Sequence, residues 1–323
     1  MNKWYTTILC IGILFFSLAW IIFFAEKGNV QESASFQKRE ESALPLENES
    51  LRASIVFTGD IMLDRYIRTV ARKIGYTSLL EDNKNILKES DAVVINLEGP
   101  ITNNPSRSEA SVIGSHDNYF FTFDPESITF LLKHNMRIVH LGNNHIDNFG
   151  PEGVRQTQNY LEQHSLEYFG SSNTLPEKIV LRKTLQGIKF SFVSYNQFSS
   201  ISGEHIALVI KKEKEMSDFV VVYTHWGQEY KTISDQKQKN LAHNFIDAGA
   251  DAVIGSHPHV IQEKEVYKGK TIYYSLGNFI FDQYFDALVK KGLVVRATFD
   301  KEENSIQFED FSAHIDSKGV TKL

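Results

Sequence analysis

Five short polar clusters each follow an apolar run, and their residue types are those that hold metal ions. They are Gly59-Asp60, Asn96-Leu97-Glu98, Gly142-Asn143-Asn144-His145-Ile146-Asp147, His225-Trp226-Gly227 and His257-Pro258-His259. Three histidines (His225, His257, His259), two carboxylates (Asp60, Glu98) and the amide oxygen of Asn144 form an N/O ligand set. A set of that size suits two divalent ions. His145 adds an imidazole that titrates near working pH and can pass a proton to a leaving group, with Asp147 placed to orient it and stabilise its charge. His257 and His259 stand at i and i+2, which points two rings to the same side of an extended segment. Pro258 favours that extended form at the residue before it.

Each cluster has a plainer reading. Asp60 taken alone is first an N-cap for the following helix. Glu98 alone is a carboxylate in a turn before Gly99-Pro100, and residues 142–147 alone are an Asn-rich turn. A single His after a strand is more often structural. The weight lies in the repetition of one pattern, strand and then ligand-type residue. Asn96 and Asn278 are expected on the substrate side, with Asn278 alternatively holding the metal loops together.

For the clusters to meet, the runs before them must be strands ending on one edge of an open α/β sheet, where ligands bind. Residues 53–58, 92–95, 137–141, 190–195, 219–224, 252–254, 271–274 and 293–299 are short and rich in β-branched or aromatic side chains. Helical patterns lie between them at 63–74, 79–89, 125–134, 151–164 and 235–248. The alternation predicts an α/β fold, and the stretch from Gly292 onward predicts added antiparallel strands. The long segment 103–123, with Tyr119-Phe120-Phe121, is either functional or aromatic packing beneath a loop.

The chain has 323 residues, a net charge of -6 and one cysteine, Cys10. The charge offers no basic field for nucleic acid, and a lone cysteine excludes an intrachain disulfide. Residues 4–25 carry no charged side chain, which is long enough to span a bilayer core. The sequence therefore predicts an anchor over 1–27, a flexible polar stalk over 28–52 and a folded domain over 53–323. It places the protein in the cell membrane, single-pass, N-terminus inside and C-terminal domain extracellular. A cleaved signal peptide is the rival reading.

Taken in order, Thr58-Gly59-Asp60-Ile61-Met62-Leu63, Asn96-Leu97-Glu98, the 142–147 cluster, His225-Trp226-Gly227, Gly255-Ser256-His257-Pro258-His259 and Ser275-Leu276-Gly277-Asn278-Phe279 resemble the CapA family. These are the poly-γ-glutamate capsule biosynthesis proteins, which are similar to calcineurin-like metallophosphoesterases. The resemblance implies a metallophosphoesterase-like α/β sandwich with mixed sheets flanked by helices. It implies two divalent ions (Mn, Fe or Zn) and a phosphoester or anionic polymer as substrate. It puts Asp60 at the first-strand metal position and Glu98, one methylene longer than the usual Asp, at the bridging position. Asn144 and His225 match second-metal ligands, His257 and His259 the closing pair, and His145 the proton donor. Met62 stands where the phosphoesterases usually have a ligand His. The implied role is capsule synthesis or export beside membrane synthase subunits. A non-catalytic assembly or polymer-binding subunit, and a surface phosphoesterase unrelated to capsule, are the alternatives.

Overall fold

A computed structural model describes residues 51–170 and 178–323. These fall within the unit Asn48–Leu323. Among the described residues, one sheet has nine strands: β1 (Arg52–Ile61), β2 (Leu80–Glu81), β3 (Ala92–Leu97), β4 (Ile138–His140), β5 (Glu167–Phe169), β12 (Asn278–Ile280), β13 (Lys291–Asp300), β14 (Ser305–Ile315) and β15 (Thr321–Lys322). Their order is β2-β15-β14-β13-β1-β3-β4-β5, with β12 beside the end of β1. A second sheet has six: β6 (Val180–Leu185), β7 (Ile188–Asn196), β8 (Phe219–His225), β9 (Ala252–Ser256), β10 (Lys264–Tyr267) and β11 (Lys270–Tyr273), in the order β10-β11-β9-β8-β7-β6. The helices are α1 (Arg65–Ile74), α2 (Ser127–Lys133), α3 (Gly150–Gln163), α4 (Gly203–Lys214) and α5 (Gln236–Asp247).

The central strands of both sheets are covered on both faces, which explains their unbroken apolar runs. Phe57, Val94 and Val295 of the first sheet pack against Phe192, Val221 and Ile254 of the second. The outer face of the first sheet buries Val93, Ile95 and Val139 under Ile67, Leu131 and Leu161 of α1, α2 and α3. The outer face of the second buries Val220, Val222 and Val253 under Ile210 of α4 and Phe245 of α5. The result is a helix–sheet–sheet–helix sandwich, as expected. The strands from Lys291 are antiparallel and extend the first sheet beyond β1.

Parallel pairing brings the strand ends together. Asn278 of β12, Asp60 of β1, Asn96 of β3 and His140 of β4 stand in register across the first sheet. Asn196 of β7, His225 of β8 and Ser256 of β9 stand in register across the second.

Behind this row the backbones meet closely at Gly59. A Cβ there would lie 2.0 Å from the carbonyl oxygen of Gly277, and the next residue, Asp60, donates its N–H to that same oxygen at 3.0 Å. Gly59→Ala is therefore expected to destabilise the fold by on the order of 3 kcal/mol. A denaturant midpoint equal to wild type would show instead that the 275–278 loop yields freely.

Three expectations change. Residues 79–89 do not form a helix but turns and the two residues of β2. The Asp82 carboxylate accepts from the N–H groups of Ile86 and Leu87, both at 3.0 Å, and Asn85 adopts φ 53°, so local side-chain bonding replaces the helical ladder. His257 and His259 are not in an extended segment: both have positive φ, 96° and 58°. The single-pass cell-membrane placement is also corrected, because among the described residues no helix is long and apolar enough to cross a membrane. The predicted anchor (1–27) and nearly all of the predicted stalk (28–52) lie outside the described residues, and β1 begins at Arg52.

Candidate metal centre

Glu98 is the centre of the cluster. It follows β3, is fully buried, and neither carboxylate oxygen has a hydrogen-bond partner among the described residues. Around its Oε1 stand His225 Nε2 at 3.7 Å, His259 Nε2 at 3.7 Å and His145 Nε2 at 4.0 Å. Burial first, and then the neighbouring Asp60, push the Glu98 carboxyl well above the usual range. Three donor sets lie close enough to share an ion: Asp60, Glu98 and His259; Glu98, His225 and His257; and Glu229, His257 and His259. The first two sets contain Glu98, so its position suits a carboxylate shared between two cations.

The hydrogen-bond network fixes which ring nitrogens face inward. Ser256 Oγ donates to the carbonyl of Thr224 at 2.8 Å, so its contact with His225 Nδ1 at 3.0 Å favours that nitrogen as the donor over the longer approach of Asn96 Nδ2 at 3.3 Å. His225 Nε2 is then a bare lone pair, facing Asn144 Oδ1 at 2.8 Å and His257 Nδ1 at 3.1 Å. His257 Nδ1 can donate to that lone pair, whereas Asn144 Oδ1 and His225 Nε2 are two acceptors facing each other, an arrangement that a cation between them satisfies. The two Asn278 Nδ2 hydrogens go to Gln283 Oε1 (3.0 Å) and the Val289 carbonyl (2.9 Å). Its Oδ1 therefore accepts from His259 Nδ1 at 3.0 Å, which turns His259 Nε2 toward Glu98.

The charges follow from these contacts. Burial alone would lower His259, but Glu98 and Asp60 outweigh it and lift the ring to about 9. Burial drives His257 down to about 3, aided by His259, and drives His225 well below its usual value. A metal ligand must be the neutral imidazole, and two of the three rings are held neutral by the fold itself.

The N/O set chosen from the sequence is brought together: Asp60, Glu98, Asn144, His225, His257 and His259 share one pocket. The left-handed backbone at His257 and His259 turns the two ring centroids to 5.9 Å apart, and the His257 N–H donates to Asp60 Oδ2 at 3.1 Å. Asn96 and Asn278 are both fully buried with their amides taken up inside the protein: for Asn278 this is the alternative reading, a brace that holds the metal loops, and for Asn96 it corrects the substrate-side expectation. Asn96 donates to Asp60 Oδ1 at 2.8 Å and accepts from His140 Nδ1 at 3.1 Å and Asn143 Nδ2 at 3.2 Å.

His145 stands at the rim, with a side chain 12 % exposed. Its Nδ1 meets Asn148 Oδ1 at 3.2 Å, and its ring lies 4.3 Å from that of Phe121. Asp147 is half-buried in the same turn. Burial holds His145 down at about 3, partly opposed by the Asn148 contact and reinforced by His259 and Arg65. Met62 is fully buried in the apolar core under α1 and contributes no ligand atom.

Sequence reading missed His140, Asn143, Asn148 and Ser256 as bracing residues. His140 is buried inside β4, with Nε2 on Ser194 Oγ at 2.9 Å. Asn143 caps its own turn by accepting from the N–H groups of His145 and Ile146 at 3.1 and 2.9 Å. A polar His and Ser within otherwise apolar runs were the available signal.

Comparison with known proteins gives the family and the fold. Residues 54–283 match the family described as "Bacterial capsule synthesis protein PGA_cap". PGA biosynthesis protein CapA of Bacillus subtilis (strain 168) is 31% identical over 249 residues, which are 71% of this chain and 63% of that protein. Capsule biosynthesis protein CapA of Bacillus anthracis is 30% identical over 273 residues, 78% of this chain and 65% of that protein. The chain thus spans slightly less than two thirds of the length of these relatives. Among solved structures, a novel phosphatase from Mycoplasma pneumoniae superposes with a TM-score of 0.55 at 11% identity, over 81% of this chain and 94% of that one. A hypothetical protein from Thermus thermophilus gives 0.51 at 17%, over 80% and 99%. At such identities these two speak for the fold alone, an α/β architecture of mixed sheets and helices similar to phosphoesterase structures. The six ordered stretches that suggested a capsule family fall within the matched residues, and the chain belongs to the bacterial capsule synthesis protein family PGA_cap.

Proposed function

We propose that this protein acts in capsule biosynthesis as a divalent-metal-dependent phosphoesterase. The observation that carries this reading is Glu98: a buried carboxylate with both oxygens unpartnered among the described residues, ringed by the Nε2 atoms of His225, His259 and His145. Asp60, Glu98, Asn144, His225, His257 and His259 would hold the ions, with Glu98 shared. When bound, divalent cations supply Lewis-acid stabilisation of the charge on phosphoryl oxygens. Asn96, Asn278 and Ser256 keep the ligands in place before substrate arrives, so little reorganisation is needed. His145 holds the proton for the leaving oxygen. Its ring is neutral in the protein alone, and an entering phosphate favours the protonated form by adding negative charge beside it.

The test is to purify the full chain, determine Mn, Fe and Zn content by elemental analysis, and assay bis(p-nitrophenyl) phosphate. Bound metal with turnover that a chelator abolishes is expected. A chain that takes up no divalent metal under any loading condition would remove the reading.

Met62 favours a second reading, in which the same site holds metal without turnover and the protein assembles with capsule synthase subunits or binds anionic polymer. Turnover decides between them: bound divalent metal with no phosphodiester hydrolysis at any metal loading supports the assembly role.

A further inference from the structure

Beside the ligand cluster lies a cavity of about 620 Å³, within the range of small-molecule sites. Its wall is linked to the cluster through packed side chains. Gln283 in its wall accepts from Asn278, the residue that orients His259, and donates to Tyr230 Oη at 3.1 Å. The Tyr230 ring centroid is 6.2 Å from that of His259. On another side Arg65 is held 5.0 and 5.5 Å from the rings of Phe121 and Phe281, and Phe121 packs on His145.

Three properties of the wall select a ligand. First, four aromatic rings remain open to solvent around one cavity: Tyr66 is 45%, Tyr119 49%, Tyr230 41% and Phe285 67% exposed. Single exposed rings need no explanation, but a cluster around a concavity marks a binding surface. Second, the charges cancel. Arg65 is the cation among the described lining residues, and it pairs with Asp282; Glu109 pairs with Arg72 at 3.0 Å. A polyanion needs uncompensated cations, which this wall lacks. Third, the wall is rich in hydrogen-bonding groups, among them Ser108, Ser111, Asn118, Gln283 and Ser317. Methylene groups would leave such donors unsatisfied, which costs free energy. Flat apolar faces, neutral balance and many donors and acceptors together match a ring that is apolar on its faces and hydroxylated at its edge.

We infer that this cavity is a pyranose-binding pocket, which holds the sugar unit of a phosphoester whose phosphate reaches the ligand cluster. The second half of that statement rests on the phosphoesterase reading; the first half does not. C–H groups of the pyranose lie on the Tyr119 and Phe285 rings, while its hydroxyls meet Gln283, Arg65 and the serines of the wall.

The test uses the full chain stripped of metal by a chelator, so the outcome is independent of the metal centre. Methyl glycosides of glucose, galactose, mannose and N-acetylglucosamine are screened by saturation-transfer NMR, with γ-linked triglutamate and dodecyl phosphate in parallel. At least one glycoside is expected to bind with a Kd in the millimolar range. The double variant Tyr119→Ala/Phe285→Ala, at exposed positions that the fold does not need, is expected to weaken it by about tenfold or more. Circular dichroism checks that this variant is folded. No glycoside binding overturns the inference. So does affinity that the double variant leaves intact, or triglutamate or dodecyl phosphate binding in place of the sugars with the same dependence on Tyr119 and Phe285. Metal uptake and phosphodiester turnover with no sugar binding would overturn this inference alone and leave the phosphoesterase reading standing.

Discussion

Glu98→Gln is expected to make the metal-stripped protein more stable and the metal-loaded protein less so. The wild-type carboxylate is fully buried, and neither oxygen has a hydrogen-bond partner among the described residues. A buried group in that condition bears the full loss of its hydration, about 1–3 kcal/mol for an unmet polar group and more for a charge. Glutamine keeps the shape and removes the charge, and its amide can donate to His225 Nε2, which stands 3.7 Å from Oε1. In a chelator-treated sample the melting temperature should rise by several degrees. With divalent metal present the order reverses, because ligand binding stabilises the native state and the variant has lost its shared ligand. Elemental analysis of the variant should show little retained metal. Two melting curves, with and without chelator, therefore separate a ligand from a structural carboxylate. A variant that melts below wild type in both conditions would mean that Glu98 supports the fold, and the metal assignment would fail.

His145→Gln should lower phosphodiester turnover by about 10²–10⁴, the span that a positioned general acid contributes. Metal content should stay at the wild-type level, because His145 Nε2 stands 4.0 Å from Glu98 at the rim and belongs to none of the three donor sets. Glutamine retains a contact to Asn148 and fills space against Phe121, so the rim keeps its shape, but it carries no transferable proton. The loss should shrink for esters with better leaving groups, which need less protonation as they depart. An equal loss for all leaving groups, together with lost metal, would recast His145 as a ligand.

The ligand cluster itself was legible in the sequence because its chemistry is local. Each donor follows an apolar run within a few residues, and a parallel strand delivers its C-terminal end to one edge whatever its neighbours do. Hence Asp60, Glu98 and His225 were found from spacing alone, and Asn144, His145 and the His257/His259 pair with them. The α/β class was legible for the same reason, since strands covered on both faces read as unbroken runs. Where local bonding competes with periodicity, the sequence misled. Residues 79–89 have a helical pattern, but the Asp82 carboxylate takes two backbone N–H groups and Asn85 turns left-handed. His257-Pro258-His259 suggested an extended pair, yet both histidines adopt positive φ so that one can donate its N–H to Asp60 and the other its ring to Asn278.

What the chain's order of residues determined was an inventory: which donors exist, that they end strands, and which family shares them. What only the folded structure decided was their protonation and direction. Asn96 looks like a substrate contact in one dimension and proves, like Asn278, to be a brace, because parallel pairing seals them between β1 and its neighbours. Ser256 and His140, unremarked among apolar runs, determine through their hydrogen bonds where ring nitrogens and amides point. The cavity had a partial sequence signal, the long segment 103–123 that supplies Tyr119 to its wall, but none for its shape. Its wall comes from segments around residues 65, 119, 230 and 284, far apart along the chain, and a concave surface exists only once they are packed side by side. Ligand type is a property of single residues, while cavity shape, burial and the direction of a lone pair are properties of contacts between distant ones.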